Sequence, residues 1–147
     1  MAKRKPVIVG NWKMNTDMKS GLNLAREIVE LTDSATGVDK IICPPFVSLA
    51  DISELLQGSS VQVGAQNISA SDDGAFTGEI STSMLKGIVS HTIIGHSERR
   101  RIFGETSQQI AEKAIASSHS GISPILCVGE SIDMRRSGDA QRFVSKQ

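Results

Sequence analysis

One pattern, repeated, constrains the fold of this chain more than anything else in it. Short apolar runs rich in β-branched residues alternate with longer stretches of helical period, about five times in 147 residues. Val7-Ile8-Val9 reads as a first strand ended by Gly10. Residues 17–32 change to helical spacing, with Leu22, Ala25, Ile28 and Val29 on one face. Residues 38–43 read as a second strand, which Pro44-Pro45 stops because proline cannot continue a ladder. Ser48 stands where it can cap a helix whose Leu49, Ile52, Leu55 and Leu56 face inward.

The alternation continues. Residues 61–64 read as a third strand, 65–78 as a polar, glycine-bearing loop, and 81–86 as a short helix. A fourth strand falls within 88–94. Thr106 and Gln109 form a capping box for a helix carrying Ile110, Ala111, Ala114 and Ile115. Residues 122–128 give a fifth strand with Pro124 near its start, and 131–147 begin a further loop and helix. Strands alternating with helices imply parallel pairing through helical crossovers. Periodicity alone admits both a doubly wound open sheet and part of a closed barrel.

No linker or low-complexity tract divides the chain, and its length suffices for one domain with a real core. With one Trp, four Phe and no Tyr, that core must rest on Val, Ile, Leu and Ala. The 16 basic and 16 acidic residues cancel, which removes long-range attraction to nucleic acid or membrane and leaves room for a local basic site. Cys43 and Cys127 lie in or beside apolar runs and read as buried free thiols in a reducing compartment. The basic start, Met1 to Pro6, precedes nothing like a signal sequence, and no apolar stretch is long enough to span a bilayer. A cytoplasmic location is the expectation. Dinucleotide, P-loop and metal motifs do not occur, and Asp72-Asp73 is too sparse for calcium.

The residues that could carry chemistry gather at strand ends. Asn11 and Lys13, just past the first strand, offer an amide and a cation suited to a phosphate ester or a developing enolate oxygen. They also fit an ordinary turn asparagine with a solvated lysine, and Lys3 and Lys5 are surface residues under either reading. His96 ends the fourth strand. With Ser97 capping a turn that begins at Glu98, its ring would stand at the positive end of that turn as a neutral donor. A structural histidine is the alternative. Glu98 sits beside Arg99 and Arg100, which suits an ion pair better than a general base. The arginine run reads as salt bridges or a solvated face, and His91 and His119 as surface or packing residues. Cys127 follows the fifth strand with no histidine near it in sequence.

Several motifs together resemble triosephosphate isomerase. They are Gly10-Asn11-Trp12-Lys13-Met14-Asn15, Cys43-Pro44-Pro45-Phe46, Gly64-Ala65-Gln66-Asn67 and Gly74-Ala75-Phe76-Thr77-Gly78-Glu79. The resemblance continues through residues 95–105 and 124–130. It implies an α/β fold forming part of a TIM (β/α)8 barrel, about strands 1–5 with their helices, and makes residues 1–147 the N-terminal portion of one barrel domain. The implied reaction interconverts D-glyceraldehyde 3-phosphate and dihydroxyacetone phosphate through an enediolate, without a cofactor, in glycolysis and gluconeogenesis. By the same resemblance, Asn11 and Lys13 bind substrate, while Lys13 and His96 are catalytic. Glu98 supports Lys13, Cys127 and Glu130 are structural, and Thr77 in the loop 65–79 reaches a homodimer partner. No nucleic-acid or membrane partner is implied.

The family's catalytic glutamate follows a sixth strand, in a segment beside a mobile lid. No matching segment occurs within residues 1–147, nor do the later phosphate-gripping loops. The isolated chain is therefore expected to be inactive, with unprotected sheet edges. The alternatives are a non-catalytic fragment acting as an oligomerising interaction module and another phosphate-handling α/β enzyme.

Overall fold

The computed structural model describes residues 4–147, so Met1, Ala2 and Lys3 lie outside the described residues. Five strands form one sheet: β1 (Val7–Asn11), β2 (Asp39–Cys43), β3 (Val61–Ala65), β4 (His91–Ile94) and β5 (Ser123–Leu126). Every neighbouring pair is parallel, and the spatial order is the chain order, β1-β2-β3-β4-β5. A doubly wound sheet reverses its order at a switch point, whereas a barrel wall adds each strand beside the last. The order found is that of a barrel wall.

Helices fill the crossovers: α1 (Met18–Thr32), α2 (Leu49–Leu55), α3 (Thr82–Leu85), α4 (Ser97–Ile102) and α5 (Ser107–His119). Two short helices follow β5, α6 (Ile132–Arg136) and α7 (Ala140–Lys146). Capping boxes start the two longest helices. Thr106 and Gln109 exchange bonds at the head of α5, as the sequence predicts, and Asp17 and Ser20 do the same at the head of α1. At the other end of α1, the buried Lys40 ammonium donates to the carbonyls of Thr32 (2.6 Å) and Ala35 (3.0 Å).

Period-two alternation divides the strand side chains between two cores. Ile42, Val61, Val63 and Ile94 face the helices and pack with Ala25, Leu49, Ile52, Leu56, Leu85 and Ile110. Ile41, Cys43 and Ile93 face the opposite side in a much smaller cluster with Ile125 and Cys127. Edge strand β1 keeps Val7, Ile8 and Val9 exposed, and β5 likewise exposes Leu126.

Four local expectations change. The first strand runs through Gly10 to Asn11, because pairing with β2 continues to Cys43. Ser48 makes no side-chain cap; the chain enters α2 through a 3-10 turn at Phe46–Ser48, and its hydroxyl is buried without a partner. On α5 the buried positions are Ile110, Lys113 and Ser117, while Ile115 is exposed, because Lys113 reaches a buried carboxylate. Pro124 is the second residue of β5. The N–H groups of Ser123 and Cys127 point to β4, so alternation turns the Pro124 nitrogen to the open edge, where no donor is needed.

Candidate active site

The C-terminal ends of β1, β3, β4 and β5 bring together residues distant in sequence. Asn11 is the last residue of β1, and its Oδ1 accepts the Lys13 backbone N–H at 3.0 Å. Lys13 has φ +55°, a left-handed backbone that a residue with a side chain adopts only when its surroundings hold it there. Its Nζ donates to Glu98 Oε1 at 2.8 Å. Glu98 lies in the first turn of α4, and that hydrogen bond from Lys13 holds its carboxyl below the usual range, against the opposing effect of desolvation.

His96 follows β4 directly and is itself the N-cap of α4. Ser97 is the first helical residue, not the cap the sequence suggested. His96 Nδ1 accepts the backbone N–H of Glu98 at 3.2 Å. Glu98 Oε2 stands 3.5 Å from the same nitrogen. A backbone amide can only donate, so Nδ1 is the acceptor and the ring proton sits on Nε2. The side chain is largely buried, at 23% exposed. The result is an imidazole N–H beside a fixed ammonium, a pair suited to an oxygen that gains negative charge.

Three supporting arrangements were not read from the sequence. Gln66, just past β3, donates through Nε2 to the carbonyls of Lys13 (2.8 Å) and Cys43 (2.9 Å). Arg100 does not face solvent; it donates to the carbonyls of Gly95 (2.8 Å) and Cys127 (3.0 Å), tying the ends of β4 and β5 together beneath His96. Gly95, at φ +72°, has no room for a Cβ, which would meet Arg100 Nη2 and Ile110 Cγ2 at 3.0 Å. Glu105, buried, binds Arg99 Nε and Lys113 Nζ at 2.5 Å each, and Lys113 also donates to Asn67 at 3.0 Å. Burial alone would raise the Glu105 carboxyl, but the bonds from Lys113 and Arg99 outweigh it and hold it below its ordinary value. The sequence offered salt bridges among the arginine run, Glu98 and Glu105, but neither their burial nor Lys113 as a partner.

The other predicted residues sit apart. Thr77 is exposed in the segment between β3 and α3 and makes none of these bonds. Cys127 is half-buried past β5, its thiol pushed up by burial against the nearby Arg100 charge. His91 begins β4, at the opposite end from His96, and its Nδ1 lies 2.8 Å from Ser90 Oγ. Beside His96 a cleft of about 290 Å³ is lined by Ser97, Arg100, Cys127, Val128, Gly129 and Glu130. A larger one of about 560 Å³, between Asp72, Glu112 and His119, shares none of these residues. Among the described residues no cluster of His, Cys, Asp or Glu could hold a metal ion. No helix there is long and apolar enough to cross a membrane.

The geometry has close relatives. The triosephosphate isomerase of Dehalococcoides mccartyi is 48% identical over 130 residues, covering 88% of this chain and 52% of that protein. That of Cytophaga hutchinsonii is 45% identical over 147 residues, covering 98% and 58%. The crystal structure of triosephosphate isomerase from Bartonella henselae superposes with a TM-score of 0.91 at 35% identity, covering 97% of this chain and 60% of that one. This chain thus spans little more than half the length of the relatives it matches. The five sequential strands are part of a TIM barrel. The triosephosphate isomerase family model matches residues 6–147, and with a site that joins Lys13, His96 and Glu98 across that wall, the chain belongs to the triosephosphate isomerase family.

Proposed function

We propose that residues 1–147 are the N-terminal portion of one barrel domain, and that the whole protein interconverts D-glyceraldehyde 3-phosphate and dihydroxyacetone phosphate through an enediolate. The observation that carries this reading is the convergence of Lys13, Glu98 and His96 at one end of the sheet. Asn11 and Lys13 bind the substrate. The Lys13 ammonium and the His96 Nε2–H stabilise charge that develops on the substrate oxygens, and the ring relays a proton between them. Glu98 fixes the ammonium.

The carbon-bound proton needs a carboxylate base, and the acids around His96 are already engaged. Glu98 is held by Lys13, Glu105 by Arg99 and Lys113, and Glu130 by Arg135. Glu98 and Glu105, held in their ionised forms by those cations, are weak bases. In this reading the base and the lid come from beyond residue 147, and no cofactor takes part. The protein works as a cytoplasmic homodimer, with the loop 65–79 and its Thr77 at the contact. Phe76, exposed in that loop, supports the assignment.

The test is a chimera in which residues 1–147 replace the equivalent segment of the Cytophaga hutchinsonii relative. Turnover that collapses with Lys13→Met or His96→Gln supports the reading. An active chimera indifferent to both substitutions overturns it.

A further inference from the structure

We infer that Gln66 is a positioning residue for Lys13: its side-chain amide holds the lysine backbone in the left-handed conformation that aims the ammonium at Glu98 and His96. The inference rests on the functional reading above and adds to it a residue that never touches substrate.

The argument begins with strain. A lysine gains nothing intrinsic from φ +55°, so the conformation must be imposed from outside. Two bonds impose it, one on each side of the residue. Asn11 Oδ1 takes the Lys13 N–H at 3.0 Å, and Gln66 Nε2 gives a proton to the Lys13 carbonyl at 2.8 Å. Asn11 is two residues away, at the end of β1 itself, so its bond refers the turn only to its own strand. Gln66 is 53 residues away and follows β3 directly, so it ties the turn to the ends of two further strands.

The tie is well defined. Both partners of Nε2 are carbonyl oxygens, Lys13 at 2.8 Å and Cys43 at 2.9 Å, so the nitrogen must face them and both of its protons are used. The Cys43 carbonyl also accepts the Trp12 N–H at 3.1 Å. One amide therefore links the ends of β1, β2 and β3. Glu98 meets Lys13 at the tip of a long, half-exposed side chain, and such a bond alone cannot fix a backbone. The next residue, Asn67, is anchored by Lys113 and through it by buried Glu105, which Arg99 of the His96-capped helix also binds. Gln66 thus stands between the two catalytic groups and refers both to one frame.

Gln66→Met keeps the length of the side chain and removes both donors. Two measurements test the inference. In the 147-residue chain itself, backbone chemical shifts and the N–H/Hα coupling report φ at residue 13. A return of Lys13 to negative φ in Gln66→Met supports the inference, and an unchanged positive φ overturns it. In the chimera described above, kcat/KM is expected to fall on the order of 10- to 100-fold, as for a misplaced catalytic group. In a Lys13→Arg background the same substitution should change it little, because the effect passes through Lys13. Full, multiplicative losses in both backgrounds would mean that Gln66 serves the fold alone. If Lys13→Arg leaves turnover intact, the functional reading fails. If it slows turnover while Gln66→Met does not, only the present inference fails.

Discussion

Lys13 Nζ lies 2.8 Å from Glu98 Oε1 although 85 residues separate the two. The ammonium leaves β1 and the carboxylate opens α4, so this one bond joins the first strand to the fourth βα unit. Both groups are well exposed, so the pair adds little to stability and its value lies in orientation. Glu98→Gln should leave the melting temperature of the chimera nearly unchanged and lower kcat/KM about tenfold or more. A large drop in melting temperature with normal kinetics would reverse that assignment.

Glu105 behaves in the opposite way. Its side chain is buried between Arg99 and Lys113, and removing the charge leaves two cations facing each other without an anion. Glu105→Gln is expected to cost about 3 kcal/mol at neutral pH. The sign with pH follows from a carboxyl held below its ordinary 4.5. The stability it contributes is fully present above pH 4.5 and is lost as pH falls through the lower folded value. Urea titrations from pH 6 down to pH 3 (about one to two units around that value) should show wild type losing stability more steeply than the variant. Parallel curves would remove the carboxylate from the account.

Gly64 is a packing requirement. A Cβ there would stand 2.7 Å from Cys43 Sγ and 3.3 Å from the His91 carbonyl. Gly64→Ala should cost about 2 kcal/mol by overpacking. Adding Cys43→Ala removes the closest atom and should recover part of the loss. Purely additive losses in the double variant would place the strain at the His91 carbonyl instead.

The two thiols should separate in a labelling experiment. Burial pushes the Cys43 thiol up to about 12, so almost no thiolate is present in the folded chain near neutral pH. Cys127 is raised less and is half-exposed. A disulfide reagent near pH 8 should modify Cys127 first and Cys43 only with unfolding, as peptide mass mapping would show.

The fifth expectation concerns the 147-residue chain alone. With the nearby carboxylates engaged, its turnover of triose phosphate should be indistinguishable from the buffer reaction. Normal turnover by a chain of verified mass would require a base within residues 1–147.

Much of the fold was legible because it is local. The capping box at Thr106, glycine breaks, and apolar spacing act within a few residues, and most elements followed. The barrel-type order was not readable from alternation, since strand order is a property of which strands meet. Of the candidate site, Lys13 and His96 stood out as polar groups at strand ends. Gln66 and Arg100 did not. Their partners are backbone carbonyls from other strands, and a carbonyl leaves no mark in sequence. Lys113 was missed for a related reason: a lysine on a helix reads as solvated until a buried carboxylate is known to meet it.

Strand order also bears on how the chain leaves the ribosome. Because each strand pairs with the one made just before it, every new βα unit docks on a surface that already exists, and none must wait for a distant segment. The burden of that convenience falls on the first strand. Val7, Ile8 and Val9 gain β2 on one side early and nothing on the other while all five strands are laid down. During synthesis, the oldest edge is the one that stays sticky longest, and it is where a nascent-chain chaperone would have most to do.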